Sequence, residues 1–170
     1  MLIKMVAGDV RPIGIFDSGA GGLSVLREVR KMAPNENLIY FADTDYFPYG
    51  RRSLPEIRKR AFAITHRLIA SNVKLIVVAC NTASAAALED LRKVFDLPFI
   101  GIVPPIKPSI LTSRTKRIVV LATSGTLGGD LYKEVVAQND TDTVIAKVVS
   151  EDLIDMIEQG DIQNPLLPQL

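Results

Sequence analysis

Short apolar runs rich in valine and isoleucine alternate with stretches of helical periodicity along the chain. Residues 12–16 (PIGIF), 37–42 (NLIYFA), 73–79 (VKLIVVA), 98–103 (PFIGIV), 116–122 (KRIVVLA) and 142–149 (DTVIAKVV) read as strands. Their continuous apolar character is what a parallel sheet covered on both faces requires. Residues 23–33, 53–71, 83–95, 127–138 and 151–159 read as helices, and 104–113 as a weaker one limited by Pro104, Pro105 and Pro108. Strands alternating with helices predict an α/β fold with a doubly wound parallel sheet.

The helix over 53–71 can be checked residue by residue. Ser53 and Glu56 form a capping-box pattern, with Pro55 tolerated in the first turn. Ile57, Ala61, Ile64 and Leu68 follow at helical spacing and predict one buried stripe. His66 then points to the opposite side and reads as an exposed surface histidine.

Small polar residues recur where each strand hands over to the next helix. They are Asp17-Ser18-Gly19, Asp43-Thr44, Cys80-Asn81-Thr82 and Thr123-Ser124-Gly125-Thr126. Open α/β sheets bind ligands outside the carboxyl ends of their strands, so four such clusters predict one shared pocket.

Each cluster suggests a chemistry. In residues 17–22 (DSGAGG), three glycines at a helix start let backbone N–H groups approach a carboxylate or phosphate, although a tight turn would use similar residues. The loop matches neither the P-loop nor the GxGxxG pattern. Asp17 beside such a site suits a group that accepts a proton or orients an ammonium. In residues 43–50, Pro48 and Gly50 set the path, while Tyr49 can wall a small pocket. Cys80 ends an apolar strand just before a helix, where the dipole and free N–H groups favour a thiolate able to act as nucleophile or base. A buried, inert cysteine is the alternative. Thr123 to Thr126 offers hydroxyls and donors for a second carboxylate, or an ordinary helix cap.

Composition narrows the classes. The 170 residues suit one domain, or one domain and part of a second. A net charge of +1 gives no reason to expect nucleic acid as a partner. One cysteine and one histidine make neither an intrachain disulfide nor a multi-thiolate metal site, so no metal is expected. The first twelve residues are too short and interrupted for a signal peptide, and no apolar run is long enough for a membrane span. The expectation is a cytoplasmic protein with no membrane partner.

Taken together, residues 13–26 (IGIFDSGAGGLSVL), 41–44 (FADT), 48–50 (PYG) and 77–84 (VVACNTAS) closely resemble the glutamate racemases of the cofactor-independent aspartate/glutamate racemase superfamily. The likeness runs continuously from about Ile13 to Tyr132. It implies interconversion of L- and D-glutamate, without a cofactor, by two cysteines on opposite faces of the substrate Cα, supplying D-glutamate for peptidoglycan. Cys80 resembles the first of these cysteines. Asp17 and Ser18 match substrate-contacting residues, Asp17 also assisting proton transfer. Tyr49 and Gly50 match a substrate-binding pair, as do Asn81 and Thr82, while Thr123 and Thr126 align with threonines near the substrate carboxylate. Glu158 matches a glutamate near the second cysteine's histidine partner.

The resemblance also implies two pseudo-symmetric domains, here residues 1–102, lacking their C-terminal return elements, and a partial domain over 103–170. A homodimer is implied for the complete form. The family's Gly-Cys-Thr-His string, which carries the second cysteine, is absent from this chain. The expectation is therefore a piece of a longer protein that does not racemise glutamate alone. The competing readings are a related amino-acid racemase or one-cysteine enzyme that uses Cys80 as a nucleophile, and a non-catalytic carboxylate-binding or interaction module.

Overall fold

The structure is a computed structural model describing residues 8–138, 142–161 and 163; the side chains of Glu151 and Glu158 also lie outside the described set. In chain order the elements are β1 (Ile13–Asp17), α1 (Leu23–Met32), β2 (Leu38–Ala42), α2 (Leu54–Ala70), β3 (Leu75–Val78), α3 (Asn81–Val94) and β4 (Phe99–Gly101). They continue with α4 (Ile106–Thr112), β5 (Arg117–Ala122), α5 (Ser124–Gly128), α6 (Asp130–Gln138), β6 (Val144–Val149) and α7 (Glu151–Glu158). Two short 3-10 turns, Thr44–Tyr46 and Tyr49–Arg51, lie between β2 and α2.

Four strands form a parallel sheet in the order β2-β1-β3-β4, and β5 and β6 form a second parallel pair. The alternation of side chains along the strands splits the first core into two layers. Phe16, Ile76 and Val78 face α2 and α3, where they pack with Ile57, Ala61, Ile64, Leu68 and Leu91. Ile13, Ile15, Leu75 and Val77 face α1, against Val25, Leu26 and Val29. This is the doubly wound arrangement that the continuous apolar strands predict. A smaller core of Ile106, Val120 and Tyr132 sits under β5 and β6.

The α2 helix forms as its sequence directs. Ser53 Oγ accepts the Glu56 N–H, and the Glu56 carboxylate accepts the Ser53 N–H at 3.0 Å, closing the capping box. His66 is exposed on its outer side, edge-on to the Phe95 ring at 5.0 Å.

One element departs from the sequence pattern. The single helix expected over 127–138 is broken into α5 and α6. A Cβ at Gly129 would lie 2.4 Å from Ala85 Cβ and 2.8 Å from its carbonyl oxygen, and one at Gly125 would lie 2.7 Å from Thr82 Cγ2. The two glycines let this segment approach α3 more closely than any side chain allows, and the helix yields to that contact.

Candidate active site

The strand order makes a topological switch point. The chain leaves β1 toward β2 on one side and reaches β3 on the other, so β1 and β3 are neighbours whose connections run apart. Crevices at the carboxyl ends of such a pair are where open α/β sheets bind ligands. Asp17 and Ser18 close β1, and Cys80 follows β3. A cavity of about 530 Å³ opens there, a size that suits a small molecule.

Asp17 is buried, and its Oδ2 accepts the Gly22 N–H at 2.8 Å. One backbone donor of the glycine loop is thus used within the protein instead of facing an anion. The loop is secured again where Tyr40 donates its hydroxyl to the Gly19 carbonyl at 2.8 Å. Gly22 is required by packing, since a Cβ there would lie 2.6 Å from Asp17 Cβ and 2.8 Å from the Tyr40 hydroxyl.

Cys80 is the N-cap of α3, its Sγ accepting the Ala83 N–H at 3.4 Å. The thiol also donates toward Ser18 Oγ at 3.8 Å. The helix start therefore does favour the thiolate, as the sequence position suggests, but it does not prevail. Burial pushes the thiol up to about 11 and the nearby Asp17 charge adds to this, against the weaker pull of the Ala83 and Ser18 hydrogen bonds. Burial thus favours the neutral thiol over the thiolate at neutral pH.

Tyr49 is 1% exposed and donates its hydroxyl to Asp43 Oδ2 at 2.6 Å. Its phenol is therefore held away from the pocket interior, with Tyr49 and Gly50 forming a wall. Burial, followed by the Asp43 hydrogen bond and charge, pushes the phenol well above its ordinary range. Asp43 and Thr44 do not line the cavity, which corrects the expectation of four clusters in one pocket. Asp43 is buried behind Tyr49 and Thr44 is exposed, because the 3-10 turn starting at Thr44 carries the pocket wall past them.

Thr82, Thr123 and Thr126 form a buried triangle of hydroxyls, with Oγ1 separations of 3.0, 3.1 and 3.0 Å. Thr123 Oγ1 also caps α5 by accepting the Thr126 N–H at 3.1 Å. The triangle borders the cavity, as does Asn81, which is exposed at its edge. Glu158 ends α7, but its side chain lies outside the described residues.

Sequence reasoning missed several contributors. Phe47, the loop from Ile102 to Pro105, and Ile154 of α7 also line the cavity, with Ser24 and Val25 of α1 and Leu121 and Ala122 of β5. Ser84 ties the 102–105 loop down, accepting the Ile102 N–H and donating to the Val78 carbonyl, each at 3.1 Å. Arg51 pairs with Asp152, at 3.2 Å, and with Asp155, both on α7, bringing Ile154 over the site. The acidic i, i+3 pair on α7 was the available signal, but its partner is a hundred positions away.

Among the described residues lining the cavity there is no lysine, arginine or histidine. A carboxylate here would be held by hydroxyl and backbone N–H donors, while Asp17 is the carboxylate able to meet an ammonium. No group of three or more metal-ligating side chains occurs among the described residues, and no described helix is long and apolar enough to cross a membrane.

A switch-point pocket that combines one buried thiol, a carboxylate and hydroxyl donors is a site for a small polar molecule. Residues 13–167 match the profile of the Asp/Glu/Hydantoin racemase family, and the chain belongs to that family. Among individual proteins it is similar to glutamate racemases. It is 49% identical over 156 residues to that of Roseiflexus sp. (strain RS-1), covering 91% of this chain and 57% of the relative. For that of Deinococcus radiodurans the identity is 44%, covering 91% of this chain and 54% of the relative. The chain thus spans little more than half the length of these curated relatives.

Solved structures agree. The Escherichia coli glutamate racemase, in complex with L-glutamate and the activator UDP-MurNAc-ala, superimposes with a TM-score of 0.78 at 38% identity, covering 86% of this chain and 56% of that one. The Francisella tularensis enzyme in complex with D-glutamate gives 0.81 at 31% identity, covering 95% and 61%.

Proposed function

We propose that the chain carries one acid/base half of a glutamate racemase site, in which Cys80 exchanges a proton with the substrate Cα from one face. The observation that carries this reading is the buried Cys80 thiol at the β1/β3 switch point, close to Ser18 and Asp17 and bordered by the threonine triangle. Glutamate-binding relatives of the same fold support it.

The proposed chemistry assigns each of these residues a part. Asp17 orients the substrate ammonium and Ser18 accompanies the thiol. Tyr49, Gly50 and Asn81 shape the pocket, and Thr82, Thr123 and Thr126 supply donors on the carboxylate side. In one direction the neutral Cys80 thiol gives its proton to the Cα carbanion and becomes a thiolate. In the other, Cys80 first loses its proton to water leaving the pocket, a loss the positive substrate ammonium favours. The thiolate then takes the Cα proton, leaving the carbanion. No cofactor is invoked; the polar surroundings of the carboxylate stabilise the carbanion.

Inversion needs a second acid/base group on the opposite face, and this chain has a single cysteine. Racemisation is therefore assigned to the complete protein, with residues 1–102 and 103–170 as two units around the substrate and Glu158 as a further contributor. We extend the proposal to a cytoplasmic homodimer that supplies D-glutamate for peptidoglycan.

The test is proton exchange in D₂O, followed by NMR at the Cα of L- and D-glutamate. The purified chain is expected to exchange one enantiomer without inverting it, and Cys80→Ser to abolish the exchange. Inversion of L- to D-glutamate by the chain alone would overturn the assignment of the second base to residues outside it. Exchange that survives unchanged in Cys80→Ser would remove Cys80 from the chemistry.

A further inference from the structure

Behind the pocket wall lies a network that none of the substrate contacts explains. Asp43 is 3% exposed, and its contacts join Asp17 and Tyr49, which line the pocket, to Arg60 behind it. Its N–H donates to the Asp17 carbonyl at 2.9 Å, extending the β1–β2 pairing by one step. Its Oδ2 accepts the Tyr49 hydroxyl at 2.6 Å and Arg60 Nε at 2.9 Å, while Oδ1 accepts Arg60 Nη2 at 2.6 Å. The guanidinium is gripped from a second side, its central carbon lying 3.8 Å from the Tyr46 ring centroid. Arg60 itself stands on α2, whose capping box and buried stripe make it a rigid support.

We propose that Arg60 is a positioning residue for the pocket, acting through the Asp43 carboxylate to hold Tyr49 and Gly50 in place as its wall. The geometry requires arginine. A planar fork makes two parallel bonds to one carboxylate and stacks on an aromatic face, whereas a lysine ammonium is a point charge that does neither well. The network also requires the tyrosine hydroxyl. A phenylalanine would fill the same space, but nothing would then tie the 47–50 turn to Asp43. An apolar core could bury the ring without setting its direction. The three-residue link sets both its direction and its distance from β1.

This role rests on the proposed function for its bearing on substrate, but its structural part can be tested without substrate. The full chain would be compared with Arg60→Lys, Tyr49→Phe and the double variant, all of which keep most of the packing. The readout is the rate at which iodoacetamide alkylates Cys80, measured beside the thermal midpoint. Both single variants are expected to change the rate at least about threefold, and the double variant to match either single, as for residues acting through one link. Rates within twofold of the parent in both single variants, or effects that multiply in the double, would overturn the proposal.

A second arm adds L- or D-glutamate. Glutamate is expected to protect Cys80 in the parent chain, and this protection is expected to fall in Arg60→Lys. Absence of protection in the parent chain would count against the glutamate reading, while the alkylation cycle would still decide the role of Arg60.

Discussion

Thr82 and Thr123 place their hydroxyl oxygens 3.0 Å apart in the interior, although forty-one positions separate them. One opens the helix after the first sheet's third strand; the other caps the helix after the second sheet's first strand. Thr126 joins both, so the two sheets meet through a ring of hydroxyls at the edge of the cavity.

Thr123→Val keeps the shape but removes two of the three ring contacts and the α5 cap. The expected loss of stability is about 1–3 kcal/mol, read from urea unfolding, because buried partners are left unsatisfied. Thr82→Val should cost about the same order. The double variant should be less destabilised than the sum of the two, since one ring is broken once.

The Cys80 thiol gives the protein an alkaline limit. Its native value of about 11 exceeds the unfolded value of about 8.5 to 9. Between these values the native state holds a proton that the unfolded chain has lost, so stability falls as pH rises. A loss of about 2–3 kcal/mol is expected across that window, and Cys80→Ala should remove this slope. Unfolding midpoints measured along an alkaline pH series check it.

Asp43 works at the acid end. Burial pushes its carboxyl up, but the Arg60 fork and the Tyr49 hydroxyl outweigh this and hold it below its ordinary value. The stability it contributes is present above the unfolded pKa and is lost as pH falls through the native one. Asp43→Asn is expected to cost about 3–5 kcal/mol at neutral pH, because Arg60 loses its counter-charge. The gap between variant and parent should narrow steadily on acidification, and parallel acid-unfolding curves would contradict this.

Gly22→Ala tests the glycine loop. The backbone at Gly22 has an ordinary helical φ of −63°, so conformational freedom is not at issue. The obstacle is space, with Asp17 Cβ and the Tyr40 hydroxyl both inside 3 Å of the new methyl. The variant is expected to lose about 1–3 kcal/mol and to displace Asp17 from its bond to residue 22. Weakened glutamate protection of Cys80 would accompany the loss of stability.

Much of the fold was legible in the sequence because its signals are local. Strand cores such as 75–78 are apolar runs, and α2 declares itself through a capping box and one stripe. That Asp17, Ser18, Cys80 and Thr123 would border one pocket was legible for a related reason. Each sits where a strand pattern stops, and a parallel sheet aligns all those stops on one side. The break at Gly128 and Gly129 carried a local signal in the glycine pair itself, which the apolar periodicity on either side overrode. The contact of Gly129 with Ala85 was visible only in three dimensions.

By itself, then, the sequence determined the parallel α/β layers, the buried stripe of α2 and the thiol at a strand end. These depend on residues within a few positions of one another. Tertiary structure alone decided the burial of Cys80, the tether of Tyr49 to Asp43 and the Arg60 fork behind it. A thiol's charge is set by how much water the whole fold removes, and here burial outweighs the helix start that the local sequence displays. The Asp43–Arg60 link is likewise a matter of approach in space, since its partners lie seventeen positions apart on different elements.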